Sequence, residues 1–63
     1  MNIKVIRKCE AEVWSGMTRF KNKEYNTGDL IPTLSSEVEG DDVVVQSDDG
    51  VTLIFPIDCV KVG

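Results

Sequence analysis

No run of twelve residues in this chain repeats its apolar side chains at helical spacing, whereas a period of two begins at residue 3. Ile3, Val5, Cys9, Ala11 and Val13 fall on one side of that alternation, with Lys4, Lys8, Glu10 and Glu12 on the other. A chain patterned this way buries its apolar residues by folding all-β, with one face of each strand turned inward. Arg7 interrupts the inner row and Ile6 the outer one, so a bulge or bend is expected at Ile6-Arg7. The sharpest later signal is Asp48-Asp49-Gly50, set between Val43-Val44-Val45-Gln46 and the run from Val51 to Phe55. Two apolar strands about an Asp-Gly pair predict a hairpin, because glycine accepts the positive φ of the turn.

The remaining punctuation divides the rest of the chain. Ser15-Gly16 reads as a turn, and Met17 to Lys21 and Glu24 to Ile31 as extended pieces about a tight connection at Asn22-Lys23. Thr27-Gly28-Asp29 reads as a second reversal, and the stretch from Pro32 to Asp42 as an exposed acidic loop. Pro56 ends its strand because it has no N–H to donate. Ile57-Asp58 then suits a 3₁₀-type turn before a last strand from Cys59 to Val62. Five or six short strands of this kind predict a small, partly closed barrel, since closure removes exposed sheet edges. Its first and last strands would pair antiparallel and bring Cys9 towards Cys59.

The 63 residues leave room for one domain, over 1–63, with one core and a stability of a few kcal/mol. An extensive enzyme-type cleft is not expected at this size. No apolar run approaches the 18 residues of a membrane span, and residues 1–8 alternate charge with apolar side chains, unlike a signal peptide. The expectation is a cytoplasmic protein with no membrane partner. Cys9 and Cys59 are the only cysteines and there is no histidine, so neither a closely spaced ligand pair nor a four-ligand metal site is present. Two reduced thiols are expected, ahead of a disulfide or a metal shared between molecules, and no cofactor is implied.

The net charge of −4 is unevenly placed. Lys4, Arg7, Lys8, Arg19, Lys21 and Lys23 outweigh Glu10, Glu12 and Glu24 in residues 1–25; Lys61 alone faces eight acids in residues 26–63. The acidic total opposes non-specific binding to nucleic acid, which basic surfaces bind by releasing counterions.

The order from Val43 to Val62 of hairpin, strand, proline, short turn and last strand resembles the Src-homology-3-like (SH3-like) barrel. Phe55-Pro56-Ile57-Asp58-Cys59-Val60 is similar to that barrel's closing segment, and Tyr25-Asn26-Thr27-Gly28-Asp29 to its Tyr-x-x-Gly-Asp turn. The same C-terminal run resembles small accessory proteins of phages and their bacterial hosts. The resemblance implies a barrel, and a protein that binds or inhibits a host protein. It does not carry over the proline-peptide groove of that family, because Cys59 stands where an aromatic belongs and Val43 to Gln46 holds no tryptophan.

Catalytic material is sparse. There is no histidine base, and Ser15, Ser35 and Ser36 lack an activating partner. Asp41-Asp42 and Asp48-Asp49 read as solvated turn residues rather than an acid–base pair or a calcium loop. The chain is therefore read as a non-enzymatic protein-binding module. Trp14, Arg19, Phe20 and Tyr25 are its contact candidates, drawn from a cluster that also holds Met17, because such residues concentrate at interface centres. Glu37, Glu39, Asp41 and Asp42 are the second set, suited to a basic partner surface such as an enzyme's nucleic-acid groove. The alternatives are a small nucleic-acid-binding barrel using Lys4, Lys8, Arg19, Lys21 and Lys23, and a structural part of a larger assembly. Nothing in the residues fixes an oligomeric state.

Overall fold

The computed structural model describes residues 2–62, with Phe20 and Val62 described in backbone only. Seven strands form it: β1 (Asn2–Val5), β2 (Cys9–Ser15), β3 (Thr18–Tyr25), β4 (Leu30–Glu39), β5 (Asp42–Ser47), β6 (Thr52–Pro56) and β7 (Val60–Val62). They join in the order β3-β2-β6-β5-β4-β1-β7, and every pairing is antiparallel. No helix occurs among the described residues, so none there is long and apolar enough to cross a membrane.

The predicted break at Ile6-Arg7 separates β1 from β2, and the alternation on either side holds. Ile3, Val5, Ala11 and Val13 are buried. They share one core with Val43, Val45, Leu53, Phe55, Ile31 and Val60, while Cys9, Tyr25 and Val51 pack against it. One sheet can enclose a core because β4 serves two ladders. Leu30 to Pro32 pair with β1, and Thr33 to Glu39 pair with β5 across an irregularity between Thr33 and Ser35. The register shifts there, and Ile3 and Val5 of β1 share one buried cluster with Phe55 and Val45. β1 pairs with β7 as expected, Val5 standing opposite Val60.

Three expectations are corrected. The barrel of five or six strands, partly closed, is instead an open sheet of seven, with β3 and β7 at its edges. The stretch from Pro32 to Asp42 is not a loop: most of it lies in β4, and a two-residue turn at Gly40-Asp41 leads into β5. Val43, Val44 and Val45 hold Val38, Glu37 and Ser36 in register, and a good partner strand outweighs the weak β propensity of serine and glutamate. Asn22-Lys23 is not a connection either, for both residues pair with β2 in mid-strand. The reversal falls at Gly16-Met17, where Gly16 takes a φ of 62° that no residue at 22 or 23 adopts.

The hairpin at residues 48–50 is present. The Ser47 N–H donates to the Val51 carbonyl at 2.9 Å, and the Gly50 N–H to the Ser47 carbonyl at 3.1 Å. Gly50 has a φ of 90°, and a Cβ placed there would meet no atom within 4 Å. A substitution at this position is therefore opposed by backbone conformation alone. Gly50→Ala is expected to lower the unfolding free energy in a urea titration by about 1–2 kcal/mol, and Gly50→Asn by less, since asparagine tolerates left-handed backbone better.

Candidate interaction face

Residues directly opposite in a ladder share a face, so the registers assemble the outer surface without further assumption. One row runs Asn22, Glu12, Ile54, Val44, Glu37 across β3, β2, β6, β5 and β4. Beside it run Arg19, Trp14, Thr52, Gln46 and Ser35. On the other side lie Glu24 opposite Glu10, and Pro56, Asp42 and Glu39 in line. The inner neighbours of these positions, Ala11, Val13, Leu53, Phe55, Val43 and Val45, are the buried ones. The result is an uncovered sheet face whose centre is apolar, through half-buried Trp14, Ile54 and Val44, and whose flanks carry carboxylates.

Trp14 is fixed on this face. Its indole N–H donates to Glu12 Oε1 at 3.2 Å, and the same oxygen lies 3.9 Å from the Arg19 guanidinium. Directly across the ladder, the Thr52 hydroxyl donates to Gln46 Oε1 at 3.0 Å. The bond to Glu12 restricts the indole's side-chain freedom before any partner arrives, which is the condition for an interface anchor.

The first contact set is divided by the sheet. Trp14 and Arg19 stand together on the outer face, one opposite the other. Tyr25 lies on the inner side, where its ring meets that of Phe55 at 5.2 Å between centroids and 56° between planes. Lys23 Nζ sits 5.1 Å from the Tyr25 ring centre. Burial and the nearby carboxylates of Asp49 and Asp29 raise the Tyr25 hydroxyl above its usual range, so it stays protonated. The side chain of Phe20 lies outside the described residues. Its backbone occupies the register shift that leaves Trp14 opposite Arg19 and Val13 opposite Lys21.

The acidic set is brought together in part: Glu37, Glu39 and Asp42 share the outer face, and Asp41 sits in the turn beyond. The basic set does not assemble. Lys4 lies opposite Lys61 at the β1–β7 edge. Lys8 pairs with Glu24 at 3.7 Å and Arg19 approaches Glu12. Lys21 and Lys23 stand opposite Val13 and Ala11, on the inner side of β3. These cations thus lie on both faces and towards opposite edges of one sheet.

Comparison with protein-family models, with curated proteins and with solved structures finds no match. The outer face is thus described by its own chemistry. Glu10, Glu12, Val44 and Ile54 belong to it although their role was not read from the sequence. For Glu10 and Glu12 the signal was available, because they share Trp14's parity in β2. Val44 and Ile54 required the pairing of β5 with β6.

Proposed function

We propose that this chain is a non-enzymatic protein-binding module that docks its acidic outer face on a basic surface of a partner protein. The carrying observation is the register that gathers Trp14, Ile54 and Val44 with Glu10, Glu12, Glu37, Glu39 and Asp42 on one uncovered face. An apolar centre flanked on one side by Glu10, Glu24, Asp42 and Glu39 supports the reading on two counts. The centre supplies affinity by desolvation, and the carboxylates steer and select a complementary partner. An enzyme's nucleic-acid groove is a partner of this chemistry, and occupying it would inhibit that enzyme. A cytoplasmic setting, the relation to SH3-like barrels and the likeness to phage accessory proteins belong to the same proposal.

The test is capture from nuclease-treated lysate by the wild-type protein, by Trp14→Ala and by the triple variant Glu37→Lys/Glu39→Lys/Asp42→Lys, followed by affinity measurement on the retained protein. The expected partner is basic, its affinity falls about tenfold or more with either variant, and its association slows as salt is raised. A partner bound equally by all three proteins, or capture that needs nucleic acid, overturns the proposal.

A further inference from the structure

The opening between edge strand β3 and the start of β4 holds a cavity of about 290 Å³ on the side of the sheet opposite the acidic face. Val13 and Leu53 form its floor, and both belong to the core. Leu30, Pro32 and Val51 add apolar surface around the mouth. Lys21, Lys23 and Tyr25 form the β3 wall, and Ser47 and Asp49 stand on the opposite side.

We infer that this cavity is a binding site for a small amphipathic anion, an aromatic ring carrying a carboxylate or sulfonate. The size is that of a small ligand pocket rather than of a macromolecular groove. The apolar floor excludes a bare inorganic anion, which would lose hydration there without a compensating contact. Lys21 and Lys23, two positions apart on one strand face with about 7 Å between their Cα atoms, line the β3 wall and favour a ligand that carries an anionic group over a purely apolar one. A ring seated on Val13, Leu53 and Val51 would set its acid group towards Lys21 and Lys23. The Tyr25 hydroxyl, held protonated by burial and by Asp49 and Asp29, can donate to the same group.

The site does not depend on the outer face, and its failure would leave the protein-docking proposal intact. The probe is 8-anilinonaphthalene-1-sulfonate, added to folded protein and followed by fluorescence and by perturbation of backbone amide NMR shifts. Saturable one-to-one binding is expected, with shifts concentrated at Val13, Ile31, Val51 and Leu53. Lys21→Gln/Lys23→Gln is expected to weaken it about tenfold or more. Lys4→Gln/Lys61→Gln and Trp14→Ala, which alter other surfaces, are expected to change it less than twofold. Unaltered far-ultraviolet circular dichroism in each variant separates a lost site from a lost fold. The inference is overturned by non-saturable fluorescence, by equal affinity in Lys21→Gln/Lys23→Gln, or by loss of binding in Trp14→Ala.

Discussion

Phe55→Ala is expected to lower the unfolding free energy at 25 °C by about 3–5 kcal/mol. Among the described residues Phe55 is the largest fully buried side chain, at 0% exposure, and it backs the half-buried ring of Tyr25. Truncating a buried phenylalanine costs about 3–5 kcal/mol in lost transfer energy and cavity formation. A domain of 63 residues holds about 3–9 kcal/mol in all, at roughly 0.05–0.15 kcal/mol per residue. The deletion therefore removes between about a third and all of the folding free energy. Urea titration followed by circular dichroism measures this directly, with Ile54→Ala as the internal comparison: it changes the adjacent residue of the same strand, on the outer face. Ile54→Ala should lose markedly less, and a loss below about 1 kcal/mol for Phe55→Ala would show that the core is not organised around that ring.

Alkylation of Cys9 by iodoacetamide is expected to accelerate about a thousandfold between pH 7 and pH 10 without reaching a plateau. Cys9 and Cys59 are free thiols, and β1–β7 pairing and the turn before β7 bring them together as the alternation implied. Partial burial, then the neighbouring Cys59 and Asp58, disfavour the Cys9 thiolate and push its pKa up to about 11. The thiolate is the nucleophile, so below pH 11 its amount grows tenfold with each pH unit. A cysteine with the ordinary value of 9.0 would gain only about a hundredfold over the same interval and then level off. Proteolysis and mass spectrometry after timed labelling assign the rate to Cys9, and circular dichroism at pH 10 establishes that the labelled protein is folded. The unfolded chain ionises this thiol first, so its contribution to stability is complete below about pH 9 and is lost as the pH rises towards 11. A plateau near pH 9 would show that Cys9 is effectively solvated.

The parts legible in the sequence were those fixed by local chemistry. Period-two alternation placed Ile3, Val5, Ala11 and Val13 in the core, and Asp49-Gly50 marked its hairpin. Two errors had a common origin: the state of a polar strand is decided by its neighbour. Ser35-Ser36-Glu37 looks like loop until Val44 and Val45 lie against it, and Asn22-Lys23 looks like a turn until β2 holds it straight. The open sheet was hidden for a different reason. Lys21 and Lys23 occupy inward positions on β3, and an edge strand that points ammonium groups inward resists pairing with a further strand. The outer face was half visible. Trp14 and the acids from 37 to 42 were recognised separately, but only the order β2-β6-β5-β4 makes them neighbours.

The ladder between β1 and β7 also bears on how fast this protein reaches its native state. Three hairpins, β2–β3, β4–β5 and β5–β6, close through turns of two or three residues, a process on the scale of about 1–10 μs. Val5 and Val60, by contrast, meet only after nearly the whole intervening chain has been folded back, with its loop-closure entropy already lost. Folding is thus governed by the search for that distant partner, in milliseconds to seconds as for other β topologies rich in non-local pairings. A variant that weakens the β1–β7 contact would therefore slow folding while leaving the unfolding rate, and with it the native state's lifetime, nearly unchanged.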